Sequence, residues 1–135
     1  MDKNNRNALA KVRMDDAYIL ISDAKQLLKI DSYKSANNRA YYAIEKSLKA
    51  LLALAGVDSE THKGVLYLFN ERYIRMGAHE FDSDDYKLVQ KAAQIRSASD
   101  YDDFYIANKE ECVLQVQNAE KFFEKVKKYI EDRGL

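Results

Sequence analysis

A chain of 135 residues can bury one core, and its net charge of zero, from 22 basic and 22 acidic residues, argues against a non-specific nucleic-acid binder driven by charge alone. Proline is absent, glycine numbers four and there is one cysteine, which favours long helices and excludes a disulfide framework within the chain. With 47% hydrophobic and 33% charged residues, the composition is that of a folded soluble domain rather than a disordered one.

The pattern divides into five helices within one expected domain spanning residues 1–135. The first is expected from about Arg6 to Lys29, with Ala17, Leu20, Ile21, Ala24, Leu27 and Leu28 on one stripe. Asp31-Ser32 breaks it, and Ser32 is a candidate N-cap for the second, from Tyr33 to Ala55. That helix carries Ala40, Tyr41, Ile44, Leu48, Leu51 and Leu52 inward and meets Gly56 where a C-cap glycine belongs. The third starts after Asp58-Ser59-Glu60-Thr61, presents Val65, Leu68, Phe69 and Tyr73, and ends near Gly77. The fourth follows the capping pair Asp82-Ser83 and turns Leu88, Val89, Ala92 and Ile95 inward. Its end is poorly defined, because Ser97 to Asp103 has weak helix propensity. The fifth opens on Asn108-Lys109-Glu110-Glu111, which resembles a capping box, and repeats Val113, Val116, Ala119, Phe123, Val126 and Ile130 at steps of three and four. No strand-like alternation competes, so an all-α antiparallel bundle is expected. Ten tyrosines against no tryptophan suit amphipathic packing at helix faces and at a self-association surface.

Several chemistries find no support. His62 and His79 stand far apart, and neither forms a pairing that would place two ligands on one helix face. Asp82, Asp84 and Asp85 lack the glycine and the closing glutamate of a calcium loop. Cys112 lies beside Glu111 with no basic neighbour and reads as a packing residue. Neither a nucleophile elbow nor a phosphate-cradling glycine loop is present, and no cofactor is implied. Glu45 reads as a solvated or salt-bridged carboxylate. No stretch approaches 18 apolar residues and the N-terminus has no apolar signal core, so no membrane association and a cytoplasmic location are expected.

The arginines remain. Arg39 follows Asn37-Asn38 on an otherwise apolar helix and shares a flank with Tyr42. Arg96 follows Ile95 directly and emerges beside the core stripe, with Asp100 four residues on and Tyr101 five. An arginine there is a poor core-filler and a good anion or phosphate binder.

Asn38-Arg39-Ala40-Tyr41-Tyr42-Ala43, then Thr61-His62-Lys63-Gly64-Val65, then Arg96 to Tyr101, then a long final helix, together resemble the HEPN family. The resemblance is nearer to the small prokaryotic single-domain group with Arg-x-x-x-Asp-Tyr, and covers nearly the whole chain. It implies an antiparallel four-helix bundle with an additional shorter helix, a homodimer, and in active members a metal-independent ribonuclease site built from arginine and, four to six residues on, histidine. Arg96 matches that arginine; the histidine does not carry over, since Tyr101, Asp102 and Asp103 occupy the positions beyond. A tyrosine of ordinary pKa is a poor proton shuttle at neutral pH. The resemblance therefore implies an RNA- or nucleotide-binding protein with Arg39, Tyr42, Arg96, Asp100 and Tyr101 as ligand residues, and Arg96 with Tyr101 as the only remnant of a catalytic pair. Such proteins also form the HEPN half of nucleotidyltransferase/HEPN toxin–antitoxin-like pairs. Two alternatives stay open: an endoribonuclease in which Tyr101, Asp100 or His62 replaces the histidine, and a helical interaction scaffold without ligand chemistry.

Overall fold

A computed structural model describes residues 1–134. Among them are five α-helices and no strand: α1 (Lys3–Lys29), α2 (Tyr33–Ala55), α3 (His62–Phe69), α4 (Ser83–Tyr101) and α5 (Lys109–Asp132). The four long helices form the antiparallel bundle and α3 is the shorter addition, the arrangement that the resemblance implies.

α2 is the axis of the fold, packing against each of the other four helices. Twelve of its 23 residues are buried, which is what a helix surrounded on most sides requires. Its most extensive packing is against α1, and both helices bury alanines, at 36, 40, 43, 50 and 53 of α2 and at 10, 17 and 24 of α1, with Ala10 clustered against Ala50 and Ala53. The hairpin between them turns at Asp31, which has a φ of 60°. Ser32 occupies the N-cap position of α2, but its side chain makes no capping bond. Gly56 adopts φ 73°, and the Gly56 and Val57 amides close the last turn of α2 onto the Ala53 and Leu52 carbonyls at 3.0 Å each.

The apolar core is continuous from Ala17 and Ile21 of α1 to Val126 of α5. Its aromatic end gathers Phe69, Tyr73, Phe81, Phe122 and Tyr129, with ring centroids 5.4–6.3 Å apart in mainly edge-on arrangements. To reach it, α3 continues as a π-helical segment, Asn70–Arg75, and the buried Tyr73 hydroxyl donates to the Leu51 carbonyl. The third helical pattern read toward Gly77 is therefore one α-helix followed by wider turns.

α4 opens on a reciprocal capping box, with Asp82 accepting the Asp85 amide at 3.2 Å and the Asp85 carboxylate accepting the Asp82 amide at 3.0 Å. At α5, Asn108 caps the Glu111 amide at 2.7 Å, but the Glu111 carboxylate accepts the Tyr105 hydroxyl instead of completing a box. Burial, then the bond to Glu111, push the Tyr105 phenol up to about 12. α4 runs on to Tyr101 despite its serines. Ser99 donates to the Ile95 carbonyl at 2.8 Å and accepts the buried Asn37 amide of α2 at 3.1 Å, while Gln115 of α5 donates to the Ala92 carbonyl at 3.0 Å. This polar brace outweighs weak local propensity and carries Arg96 and Asp100 onto the flank of α2.

Candidate functional site

Arg96 is the pivot of the site. Its residue exposure is 7%, and its guanidinium carbon lies 5.3 Å from the Tyr41 ring centroid, 5.8 Å from Tyr42 and 5.6 Å from Tyr101. Three aromatic faces around one cation supply quadrupole attraction worth about 1–2 kcal/mol for a desolvated pair. Burial pulls the guanidinium pKa down, but the facing Tyr42, Asp100 and Tyr101 oxygens more than compensate, and the net direction is upward.

The polar partners of Arg96 are few. Its Nη1 lies 3.5 Å from Asp100 Oδ2, a long contact at the i,i+4 spacing expected from the sequence. Asp100 Oδ2 is bonded more closely by Asn38 Nδ2, at 2.9 Å, and Asn38 Oδ1 in turn accepts Arg39 Nη1 at 2.6 Å. Arg39 is exposed and reaches the cluster only through this relay. Arg96 Nε is buried with no hydrogen-bond partner, as is Asn37 Oδ1 on the same α2–α4 seam. A buried donor left unmade costs about 1–3 kcal/mol.

His62, the first residue of α3, also stands against the two tyrosines. Its ring centroid lies 5.5 Å from Tyr41, nearly perpendicular at 84°, and 5.9 Å from Tyr42. Its Nδ1 is hydrogen-bonded to Glu45 Oε2, which also accepts the Tyr41 hydroxyl at 2.7 Å. Burial first, then the neighbouring Glu45 carboxylate, push the Tyr41 phenol well above its ordinary value, so it remains a donor. The Thr61-His62-Lys63-Gly64 string has a local cause. Thr61 caps the helix by accepting the Gly64 amide at 3.0 Å, and the Ser59 side chain folds so close that a Cβ at position 64 would sit 1.9 Å from its hydroxyl.

The structure thus brings together four of the five residues expected to bind ligand, namely Tyr42, Arg96, Asp100 and Tyr101, with Arg39 at the rim. It adds Asn38, Tyr41, Glu45 and His62. Glu45, read from sequence as an ordinary surface carboxylate, is 85% buried at its side chain and holds two donors. The helical spacing of Tyr41 and Glu45 was the signal that could have found it. Surface recesses bordered by Arg6, Met14, Tyr18 and Arg133 lie elsewhere, and Arg96 borders none of these. Beyond the site, Tyr101, Phe104 and Ile106 are 76%, 94% and 85% exposed. Among the described residues no group of three or more His, Cys, Asp or Glu side chains could hold a metal ion. No described helix is long and apolar enough to cross a membrane.

A family model for the HEPN domain matches residues 10–129. The chain is 32% identical over 117 residues to a UPF0332 protein of Archaeoglobus fulgidus, covering 87% of this chain and 91% of that one. It is also 32% identical over 112 residues to a UPF0332 protein of Thermotoga maritima, covering 83% of each. A Methanocaldococcus jannaschii protein named "Putative toxin MJ0142" is 28% identical over 112 residues, covering 83% of this chain and 75% of that one.

Proposed function

This chain belongs to the HEPN domain family, and from that premise we propose that it binds single-stranded RNA or nucleotides through a phosphate held at Arg96. The observation that carries this reading is Arg96 itself: a residue 7% exposed, set against three tyrosine rings and only loosely paired with Asp100, at 3.5 Å. A structural ion pair would close on its carboxylate. The exposed Tyr101 ring and the half-buried Tyr42 offer faces on which a base can stack. Zero net charge favours a localised phosphate contact over a general polyanion surface.

Arg96 borders none of the three recesses described above, and a second surface laid over its flank would complete the site. The exposed Tyr101, Phe104 and Ile106 beside it suit pairing with a second copy of the chain, which would bring two Arg96 side chains to one groove. Two relatives named as toxins favour a role as the HEPN half of a toxin–antitoxin-like pair, with a nucleotidyltransferase as the partner protein.

The test is RNA binding by fluorescence polarisation with wild type and Arg96→Met. Loss of a charge-assisted phosphate contact is expected to weaken binding by about 10- to 100-fold. Equal affinity of both proteins would remove Arg96 from the site and leave an interaction scaffold as the better reading.

A further inference from the structure

We propose that a basic cavity at the far end of the bundle from Arg96 binds a small oligophosphate anion, held by Lys3, Arg6 and Arg72. This site is separate from the one above. Leu54, in its lining, stands 12 residues beyond Tyr42 on α2, about 18 Å along the helix axis.

The cavity forms where the start of α1, the end of α2, the π-helical segment and the end of α5 meet. It encloses about 520 Å³, within the range of roughly 300–1,000 Å³ typical of small-ligand sites. Four of its ten lining residues are cationic, Lys3, Arg6, Arg72 and Arg133, and none is acidic. In a chain of zero net charge this is a local concentration of one sign. Leu54, Ala55 and Met76 supply an apolar side.

Cations at helix C-termini ordinarily offset the negative dipole ends, and two of the four do so. Arg6 lies against Gly56, just past α2, with its Nη1 3.1 Å from where a Cβ would stand. Arg133 Nη1 donates to the Tyr129 carbonyl of α5 at 3.2 Å. Arg133 is also spent as a charge, paired with Glu80 at 2.7 Å and laid on the Tyr129 ring, its guanidinium carbon 3.4 Å from the centroid. It is a wall of the cavity and not a free cation. Lys3 and Arg72 have no such duty. Lys3 stands in the first turn of α1, the positive end of that helix, where a cation is unfavourable. Arg72 stands on the π-helical segment. Among the described residues, neither of these nor Arg6 forms an ion pair, and Arg6 Nε has the Met1 carbonyl at 3.2 Å.

The π-helical turns set Arg72 in place. Its neighbour Tyr73 is buried and donates its hydroxyl to the Leu51 carbonyl, and a Cβ on Gly77 would collide with the Tyr73 carbonyl. The segment is thus pinned to α2 and to the turn that follows it. Such wide turns recur at functional sites. Arginine suits the chemistry, because its planar fork bonds two phosphoryl oxygens at once. Cations gathered around one recess, and not strung along a face, fit a compact anion with several charges. An oligophosphate has that form, free or carried on an organic body.

Isothermal titration of the full chain with tripolyphosphate, in magnesium-free buffer at about 0.15 M salt, tests the site. Wild type is expected to bind with a micromolar Kd. Arg72→Met is expected to weaken binding by about tenfold, and Lys3→Met with Arg72→Met by about 100-fold. Both side chains are exposed, so melting temperatures are expected to stay near that of wild type. Lys11→Met with Lys127→Met removes the same charge from a neighbouring recess and is expected to leave the affinity unchanged. ATP, titrated in parallel, distinguishes the sources. Affinity equal to or below that of tripolyphosphate assigns the site to the free chain. Tighter binding, lost in the Lys3/Arg72 pair, assigns it to a phosphate tail on an organic body. Three results would overturn the inference: no binding by wild type at millimolar tripolyphosphate, unchanged affinity in the Lys3/Arg72 pair, or an equal loss in the Lys11/Lys127 pair. None of them bears on RNA binding at Arg96.

Discussion

At the scale of single residues, Arg96 gives up hydration on burial, and the Tyr42, Asp100 and Tyr101 oxygens and three ring faces more than offset it. Arg96→Met removes these contacts together with the charge, so it is expected to lower the melting temperature by a few degrees while losing RNA affinity; RNA affinity kept at the wild-type level would identify Arg96 as structural cement. Cys112 is the opposite case, fully buried, with its thiol donating to the Tyr33 carbonyl at 3.6 Å. Burial, then Glu111, push its thiol up to about 11 from an ordinary 9. A folded-state pKa above the unfolded value gives stability that is complete below the unfolded value and lost as pH rises through the folded one. Between pH 9 and 11, wild type should lose more stability than Cys112→Ala, measured by urea unfolding at each pH. Parallel curves would contradict it.

At the scale of elements, the first turn of α3 decides where His62 stands. Gly64 is required there by space, since Ser59 Oγ, Ser59 Cβ and Thr61 Oγ1 lie 1.9, 2.8 and 2.9 Å from where its Cβ would be. Gly64→Ala is expected to destabilise the protein by about 1–3 kcal/mol through overpacking. Adding Ser59→Gly, which removes the two nearest atoms, should recover much of that loss. A double-mutant cycle by urea unfolding checks it, and additive effects would place the strain elsewhere. The end of α4 shows the same interplay. Ser97, Ser99 and Asp100 favour termination locally, yet the helix continues because Asn37 and Gln115 brace it from α2 and α5. The five elements were legible in the chain because apolar side chains recur at steps of three and four. The brace was not, because a polar residue on an apolar stripe gives no hint of its partner.

At the scale of the whole molecule, the open question of assembly turns on one patch. Tyr101, whose ring lies against Arg96, and Phe104 and Ile106 just after it in the chain expose apolar surface. Pairing of two copies through this patch is expected to make Phe104→Ser with Ile106→Ser monomeric in sedimentation while leaving the melting temperature near that of wild type, since neither side chain is buried in the protomer. RNA affinity should fall with the dimer. A wild type that sediments as a monomer at micromolar concentration would detach the site from a second copy.

The amino-acid order by itself determined the helical class, the succession of five elements, the Gly56 stop and the candidacy of Arg96, because each depends on periodicity or on one residue's own conformational limits. The order also showed that no histidine follows Arg96 within reach along the chain. Only the tertiary structure decided that His62, 34 residues earlier, and Glu45 stand against the same two tyrosines as Arg96. The packing of α3 and α4 on α2 creates that neighbourhood, and contacts between helices leave no periodic trace in any one of them.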